Sequence, residues 1–186
     1  MSRVKHLGLL FATTIACTVA IGEYNVGLSQ AVTLQDGTVY FVEPPSLVEA
    51  QASYKEIYLV GATYYFVISI PENAGEPLQQ VTINQYKGLD HIHFDLKQTS
   101  AFEGDRSHKG QNLTLKDVTS DPKTRTVSIT FDPPVTPGRT ITIALKPEQN
   151  PTSSGVYLFG VTAFPAGEKV HGQFLSYGRL QFYSSR

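Results

Sequence analysis

Short segments in which apolar and polar residues alternate dominate the chain beyond residue 32. In the segment 125–131, Val127, Ile129 and Phe131 alternate with threonine and serine, and the segment 139–146 repeats the pattern. A period of two places the apolar side chains on one face of a β-strand and the polar side chains on the other. These segments therefore predict strands with one packed face and one solvated face.

About nine segments have this character, and glycine, proline, asparagine and aspartate separate them as turn residues do. The predicted strands are 39–43, 63–70, 80–86, 91–96, 113–118, 125–131, 139–146, 156–163 and 174–183. The segments 63–70 and 156–163 are apolar on both faces, which favours places inside a sheet. The sequence thus predicts an all-β fold, an immunoglobulin-like β-sandwich of about eight or nine strands.

Two other segments depart from the strand pattern. The segment 46–57 is the best candidate for a helix, and the segment 99–112 is polar and long enough to predict a surface loop. The chain contains no internal repeat and no linker, so residues 32–186 are expected to form a single domain.

The first 31 residues have the composition of a secretory signal peptide. Arg3 and Lys5 precede the apolar segment 7–21, and small residues stand at the −3 and −1 positions of a cleavage site after Ala31. The apolar segment is shorter than the roughly 20 residues that a membrane-spanning helix needs. Two alternatives stay open, namely retention as a membrane anchor and lipidation at Cys17.

Composition narrows the classes of function. Cys17 is the only cysteine, so residues 32–186 can form neither disulfides nor thiolate ligands. Removal of residues 1–31 takes away Arg3, Lys5 and Glu23 and leaves 13 basic and 15 acidic residues, a formal net charge of −2. A weakly acidic chain without a basic cluster argues against nucleic acid as a partner. We expect no membrane span in the mature chain.

The stretch DHIHFDL, residues 90–96, is the most suggestive of chemistry. On a strand, His91 and His93 would share one face about 6.6 Å apart, near enough for two imidazoles to bind one copper or zinc ion. His108 and His171 are the remaining histidines beyond residue 31, and no spacing motif joins them to this pair. The alternative is an ordinary solvated strand face.

No motif for catalysis or for a cofactor stands out. The chain lacks a G-x-S-x-G elbow, an H-E-x-x-H helix and a glycine-rich phosphate loop. We therefore expect a protein that is not an enzyme and needs no cofactor, with an unrecognised active site as the remaining alternative.

Aromatic residues supply the candidate recognition surface. The chain has ten tyrosines, ten phenylalanines and no tryptophan, and the segment 155–183 combines aromatic residues with glycine. Residues 163–172 leave the strand pattern and are expected to form an ordered loop. The candidate partner-binding residues in and after this loop are Phe164, His171, Phe174 and Tyr177. Core packing is the alternative for each ring.

Several stretches together resemble a known family. They include PENAGEPL, VTAFPAGE and HGQFLSYGRLQFY, and the resemblance extends over about residues 33–183. It is to the exported cyanobacterial proteins grouped as a domain of unknown function (DUF2808). The resemblance implies an exported, mostly β protein and implies no reaction.

These observations give one leading function and one alternative. The leading expectation is an exported, non-catalytic module of the cell envelope or a lumen that binds an envelope protein or a glycan. The compartment is the periplasm, the thylakoid lumen or the cell surface. The alternative is a periplasmic copper- or zinc-binding protein that uses His91 and His93.

Overall fold

The computed structural model describes residues 32–33 and 36–184. The predicted signal peptide, its cleavage site and Cys17 lie outside these residues. Twelve strands are described, and ten of them form two five-stranded antiparallel sheets. The strands, in chain order, are β1 (Val32–Thr33), β2 (Val39–Tyr40), β3 (Ser46–Ala52), β4 (Tyr64–Ser69), β5 (Leu78–Lys87), β6 (Ser100–Gly104), β7 (Lys109–Leu113), β8 (Leu115–Asp121), β9 (Thr126–Val135), β10 (Thr140–Leu145), β11 (Gly155–Pro165) and β12 (Gln173–Phe182).

The two sheets pack face to face as a β-sandwich, which confirms the predicted fold class. The first sheet has the order β3-β4-β10-β6-β7, and the second has the order β12-β11-β5-β9-β8. The short strands β1 and β2 pair with each other. The strands predicted to be apolar on both faces, β4 and β11, both lie inside their sheets.

Aromatic side chains from both sheets meet in the core. Phe66 of β4 contacts Phe159 of β11 edge to face, with ring centroids 5.8 Å apart. Gly178 lets β12 approach the first sheet closely, because an added Cβ there would lie 2.6 Å from the Cβ of Ala50. Burial of these apolar faces is the main favourable contribution to folding.

The prediction of a helix over residues 46–57 is wrong. Residues 46–52 form the edge strand β3, which pairs along its length with β4. Leu47 lies opposite Ile68 and Ala52 lies opposite Tyr64, and both pack against the core with Ala50, whereas Val48 is exposed. Tertiary pairing with β4 outweighs a weak local helix preference.

The prediction of a surface loop over residues 99–112 is also wrong. It forms β6 and most of β7, which make an antiparallel hairpin at the edge of the first sheet. Residues 100–103 pair with β10, and Ala101 and Phe102 are buried. The polar residues that indicated a loop belong to the turn 105–108 and to the exposed strand β7.

The predicted strand 91–96 is wrong as well. This segment makes a single isolated bridge, between Phe94 and Pro147, and then enters a short 3₁₀ helix over Leu96–Gln98. The buried side chain of Gln85 accepts a hydrogen bond from the Ile92 amide at 2.9 Å. The Gln85 side chain therefore satisfies a backbone amide that a strand would pair in a ladder.

A buried asparagine fixes two long loops of the sandwich. Asn150, which is 1% exposed, accepts a 2.9 Å hydrogen bond from the Tyr64 hydroxyl. Its amide nitrogen donates to the carbonyl oxygens of Tyr54 at 3.2 Å and Glu56 at 2.8 Å. The loop after β3 and the loop before β11 are thus joined to the core through one side chain.

We expect the substitution Asn150→Ala to lower the free energy of unfolding by about 3 kcal/mol, since it leaves a buried hydroxyl and two carbonyls without their partner. The exposed neighbour Gln149, whose side chain donates to the Tyr58 carbonyl, is the matched control. Gln149→Ala should change stability by no more than about 0.5 kcal/mol. Chemical denaturation of both variants measures the difference, and equal effects would contradict this role of Asn150.

Candidate functional site

Three exposed aromatic rings lie together on the outer face of the second sheet. Tyr86 is 64% exposed, Phe174 is 55% exposed and Tyr177 is 45% exposed. The Tyr177 ring centroid lies 4.9 Å from that of Tyr86 and 4.9 Å from that of Phe174. We refer to these three residues as the aromatic platform. Large rings that remain in solvent while contacting each other form a surface suited to binding.

Gly160 of β11 creates the space in which the platform rings lie. A Cβ at this position would be 3.3 Å from Phe174 and 3.4 Å from Tyr177. Gly160 pairs directly with Tyr177 on β12, so the ring of Tyr177 lies across the bare backbone of its neighbour. The glycine thus lets the rings lie low against the sheet instead of projecting away from it.

Polar side chains continue from the platform across the sheet in register. Thr162 pairs with Phe174 on one side and with Thr82 on the other, and Thr82 pairs with Ser128, which pairs with Thr119. This row crosses all five strands and carries hydroxyl groups on the last four. We call these four residues the hydroxyl row.

A second row runs beside it. Tyr177, Gly160, Asn84, Thr126 and Asp121 occupy successive strands in direct pairing. The outer face therefore combines ring faces at one edge with hydroxyl, amide and carboxylate groups across the remaining strands.

The structure separates the four partner-binding residues predicted from the sequence. Phe174 and Tyr177 belong to the platform. Phe164 is half-buried and packs over Gly172, where a Cβ would lie 2.4 Å from its ring. His171 stacks on Tyr40 of β2, with ring centroids 4.8 Å apart.

Tyr86 was not among the predicted residues, although the pattern contained a signal for it. In the predicted strand 80–86, Thr82 and Asn84 alternate with buried Val81 and Ile83. Tyr86 continues the polar phase of that alternation, which places it on the solvated face.

His91 and His93 lie side by side, though not on a strand. Their ring centroids are 4.3 Å apart with an interplanar angle of 38°. Burial, followed by the charges of His93 and Arg125, lowers the pKa of His91 and favours its neutral form. Across the described residues, no group of three or more histidine, cysteine, aspartate or glutamate side chains is placed to hold a metal ion.

Asp90 lies beside this pair in the chain but is engaged in holding the loop before β11. Its carboxylate accepts hydrogen bonds from the Ser153 amide at 2.7 Å, the Thr152 hydroxyl at 3.1 Å and the Tyr157 hydroxyl at 3.2 Å. Burial alone would raise the pKa of Asp90, but these hydrogen bonds outweigh it and lower the pKa. Asp90 therefore has a structural role.

One exposed turn holds the three residue types of a catalytic triad, namely Asp105, Ser107 and His108. A triad needs the histidine between the acid and the nucleophile. Here the Ser107 hydroxyl donates to Asp105 at 2.6 Å, and Asp105 also accepts from the amides of Ser107 and His108. These bonds lower the pKa of Asp105 to about 2. The cluster is arranged as a cap for the turn.

The sequence matches a family model over residues 38–182, and that model is described as a protein of unknown function (DUF2808). The matched region covers most of the chain. The chain belongs to this family. The family resemblance read from the turn and strand stretches is therefore confirmed. No curated protein matches the sequence.

Several solved structures of bacterial proteins are similar to this DUF2808 chain at low identity. BcpA, the major pilin subunit of Bacillus cereus, is 12% identical with a TM-score of 0.47, covering 82% of this chain and 47% of the pilin. A collagen-binding domain from a Staphylococcus aureus adhesin is 14% identical with a TM-score of 0.38, covering 73% of this chain and 99% of that domain.

The C-terminal domain of the Streptococcus pyogenes antigen I/II-family protein AspA is 13% identical with a TM-score of 0.41. The alignment covers 72% of this chain and 46% of the AspA chain. The DUF2808 chain therefore spans about half the length of the pilin and AspA structures. Within the residues that the structure describes, no helix has the length and apolar character needed to cross a membrane.

We expect Gly160→Ala to move the Phe174 and Tyr177 rings by a few tenths of an ångström while leaving stability within about 1 kcal/mol, because exposed rings can shift. Gly178→Ala is the matched control inside the sandwich, where it should cost about 1–3 kcal/mol by forcing the sheets apart. Near-UV circular dichroism and thermal unfolding of both variants separate the two effects. A Gly160→Ala variant as unstable as Gly178→Ala would show that the platform rings cannot shift to make room for the added methyl group.

Proposed function

We propose that the protein is an exported, non-catalytic module of the cell envelope that binds a glycan through the outer face of its second sheet. Export is supported by the composition of residues 1–31. The observation that carries the binding proposal is the aromatic platform beside the hydroxyl row. Sugar rings present apolar faces that stack on aromatic side chains and hydroxyl groups that pair with polar ones.

The shape of the surface favours a glycan over a folded protein as the partner. The platform lies low on a sheet because Gly160 has no side chain, and the hydroxyl row extends from Phe174 across the other four strands. The hydroxyl row carries no charge, and Asp121 places one carboxylate at the far edge of the second row. A neutral polysaccharide can lie along such a face and replace water at each hydroxyl.

We expect a gel containing a neutral polysaccharide to retard the purified protein in native affinity electrophoresis. Dextran, β-1,3-glucan and xylan are the probes. The double variant Phe174→Ala/Tyr177→Ala should bind at least about tenfold more weakly, because both stacking rings are lost.

The matched control is the double variant Tyr54→Ala/Tyr183→Ala. Tyr54 is 54% exposed and Tyr183 is 48% exposed, and neither ring belongs to the platform. This control should migrate like the original protein. Migration unaffected by all three polysaccharides, or equal loss in the control, would refute glycan binding at the platform.

A second function, metal binding, is favoured by the contact between His91 and His93. Two neighbouring imidazoles, one of them held neutral, supply two nitrogen ligands for copper or zinc, with water completing the coordination. The backbone carbonyl of His93 accepts from the Glu148 amide at 2.9 Å, which fixes the loop that carries both rings.

We expect isothermal titration of the protein with copper or zinc chloride to give one site with a Kd below the millimolar range, since two imidazoles bind either ion. His91→Ala/His93→Ala should abolish this site, and His108→Ala/His171→Ala should preserve it. Binding weaker than millimolar, or equal loss in both variants, would exclude a metal site at this pair.

A further inference from the structure

The turn between β6 and β7 bends over the outer face of the first sheet. The guanidinium carbon of Arg106 in this turn lies 4.6 Å from the ring centroid of Tyr65, which belongs to β4, two strands away from β6. The Thr142 hydroxyl on the intervening strand β10 donates to the Gly104 carbonyl at 2.7 Å. The turn is therefore attached to the sheet face that it covers.

Three cationic side chains line the cavity that this turn creates. The cavity has a volume of about 320 Å³, and its lining includes Arg106, Lys109 and Lys146. Lys109 extends over the Phe102 ring, with its nitrogen 4.9 Å from the centroid, and the Lys146 nitrogen donates to Gln98 at 3.0 Å. We call Arg106, Lys109 and Lys146 the cationic trio.

Within the part of the chain that the structure describes, no carboxylate belongs to the lining of this cavity. Among the described residues, the ion pairs join Asp105 to His108, Glu103 to Arg139 and Asp36 to Lys169, and none involves the cationic trio. Arg106 also lines a neighbouring cleft that contains Glu49 and Asp105, and the Asp105 carboxylate there accepts bonds from the turn. Lys146 likewise lines a second neighbouring cleft that contains Asp95 and Glu148. Three positive charges therefore line one cavity in a chain whose residues 32–186 carry a formal net charge of −2.

The rest of the lining indicates which kind of anion fits. Ser100 contributes an exposed hydroxyl group and Tyr65 a half-buried ring, while Thr63 and Phe102 are buried and form the floor. The volume falls in the range of about 300–1,000 Å³ that small-molecule sites occupy. A planar carboxylate pairs well with a guanidinium, whereas hydroxyl and ring faces suit a sugar.

From this arrangement we propose a second binding site, specific for the carboxylate-bearing sugars of an acidic polysaccharide. The Arg106 guanidinium and the two lysine ammonium groups bind the carboxylates, while the exposed Ser100 hydroxyl and the half-buried Tyr65 ring contact the sugar. This site is on the opposite sheet from the aromatic platform and does not depend on it. A molecule with both sites would link an acidic polysaccharide on one face to a neutral one on the other.

The test is native affinity electrophoresis in gels that contain polygalacturonate, with dextran and polyglutamate gels run in parallel. Polygalacturonate should retard the protein, and added salt should weaken the retardation because exposed charges are screened. Each of Arg106→Gln, Lys109→Gln and Lys146→Gln should weaken binding by about tenfold, and the triple variant should migrate as it does without polygalacturonate.

The matched control removes the same charge elsewhere. Lys87, Lys116 and Lys123 are exposed and belong to the second sheet or its turns, so their triple glutamine variant should retain binding. Phe174→Ala/Tyr177→Ala should also retain binding, which distinguishes failure here from failure of the platform. Three results would overturn the proposal: no retardation by polygalacturonate, equal loss in the lysine control, or equal retardation by polyglutamate.

Discussion

The hydrogen bond between Tyr64 and Asn150 joins the core of the sandwich to its irregular segments. The Tyr64 ring contacts Phe94, Phe159 and Phe182 in the core, and burial raises the pKa of its phenol, so the hydroxyl remains a neutral donor. Asn150 accepts that bond and holds the loop after β3 through two carbonyls. β11, which carries Gly160, begins a few residues later, so the same buried amide fixes the loop that leads into this strand.

Alternation of apolar and polar residues predicted the sandwich well, because burial of one strand face imposes a period of two on the sequence. It failed where other forces decide the backbone. Residues 46–52 are a strand because β4 offers a partner, and residues 100–104 are a strand because β10 does. Residues 91–96 alternate like a strand, yet the Gln85 side chain accepts from the Ile92 amide, and Asp95 caps the following 3₁₀ helix through the Lys97 amide.

The candidate sites were predictable to different degrees, because only some of their residues lie close together in the sequence. Phe174 and Tyr177 were recognisable because glycine and aromatic residues occur together in one short segment. Tyr86 is distant in sequence from both and joins them only through the pairing of β5 with β11. The bend of a hairpin turn brings together Arg106, Lys109 and Lys146. No periodic pattern in the sequence indicates such a bend.

The hydroxyl row gives the outer face two different repeat lengths. Neighbouring strands are about 4.8 Å apart, whereas successive side chains on one face of a strand are about 6.6 Å apart. A polymer that crosses the strands would meet Thr162, Thr82 and Ser128 at the shorter interval, and one that follows a strand would meet polar groups at the longer one. Under the proposed glycan-binding role, these two intervals distinguish linear polymers by the length of their repeating unit and by the direction in which they lie.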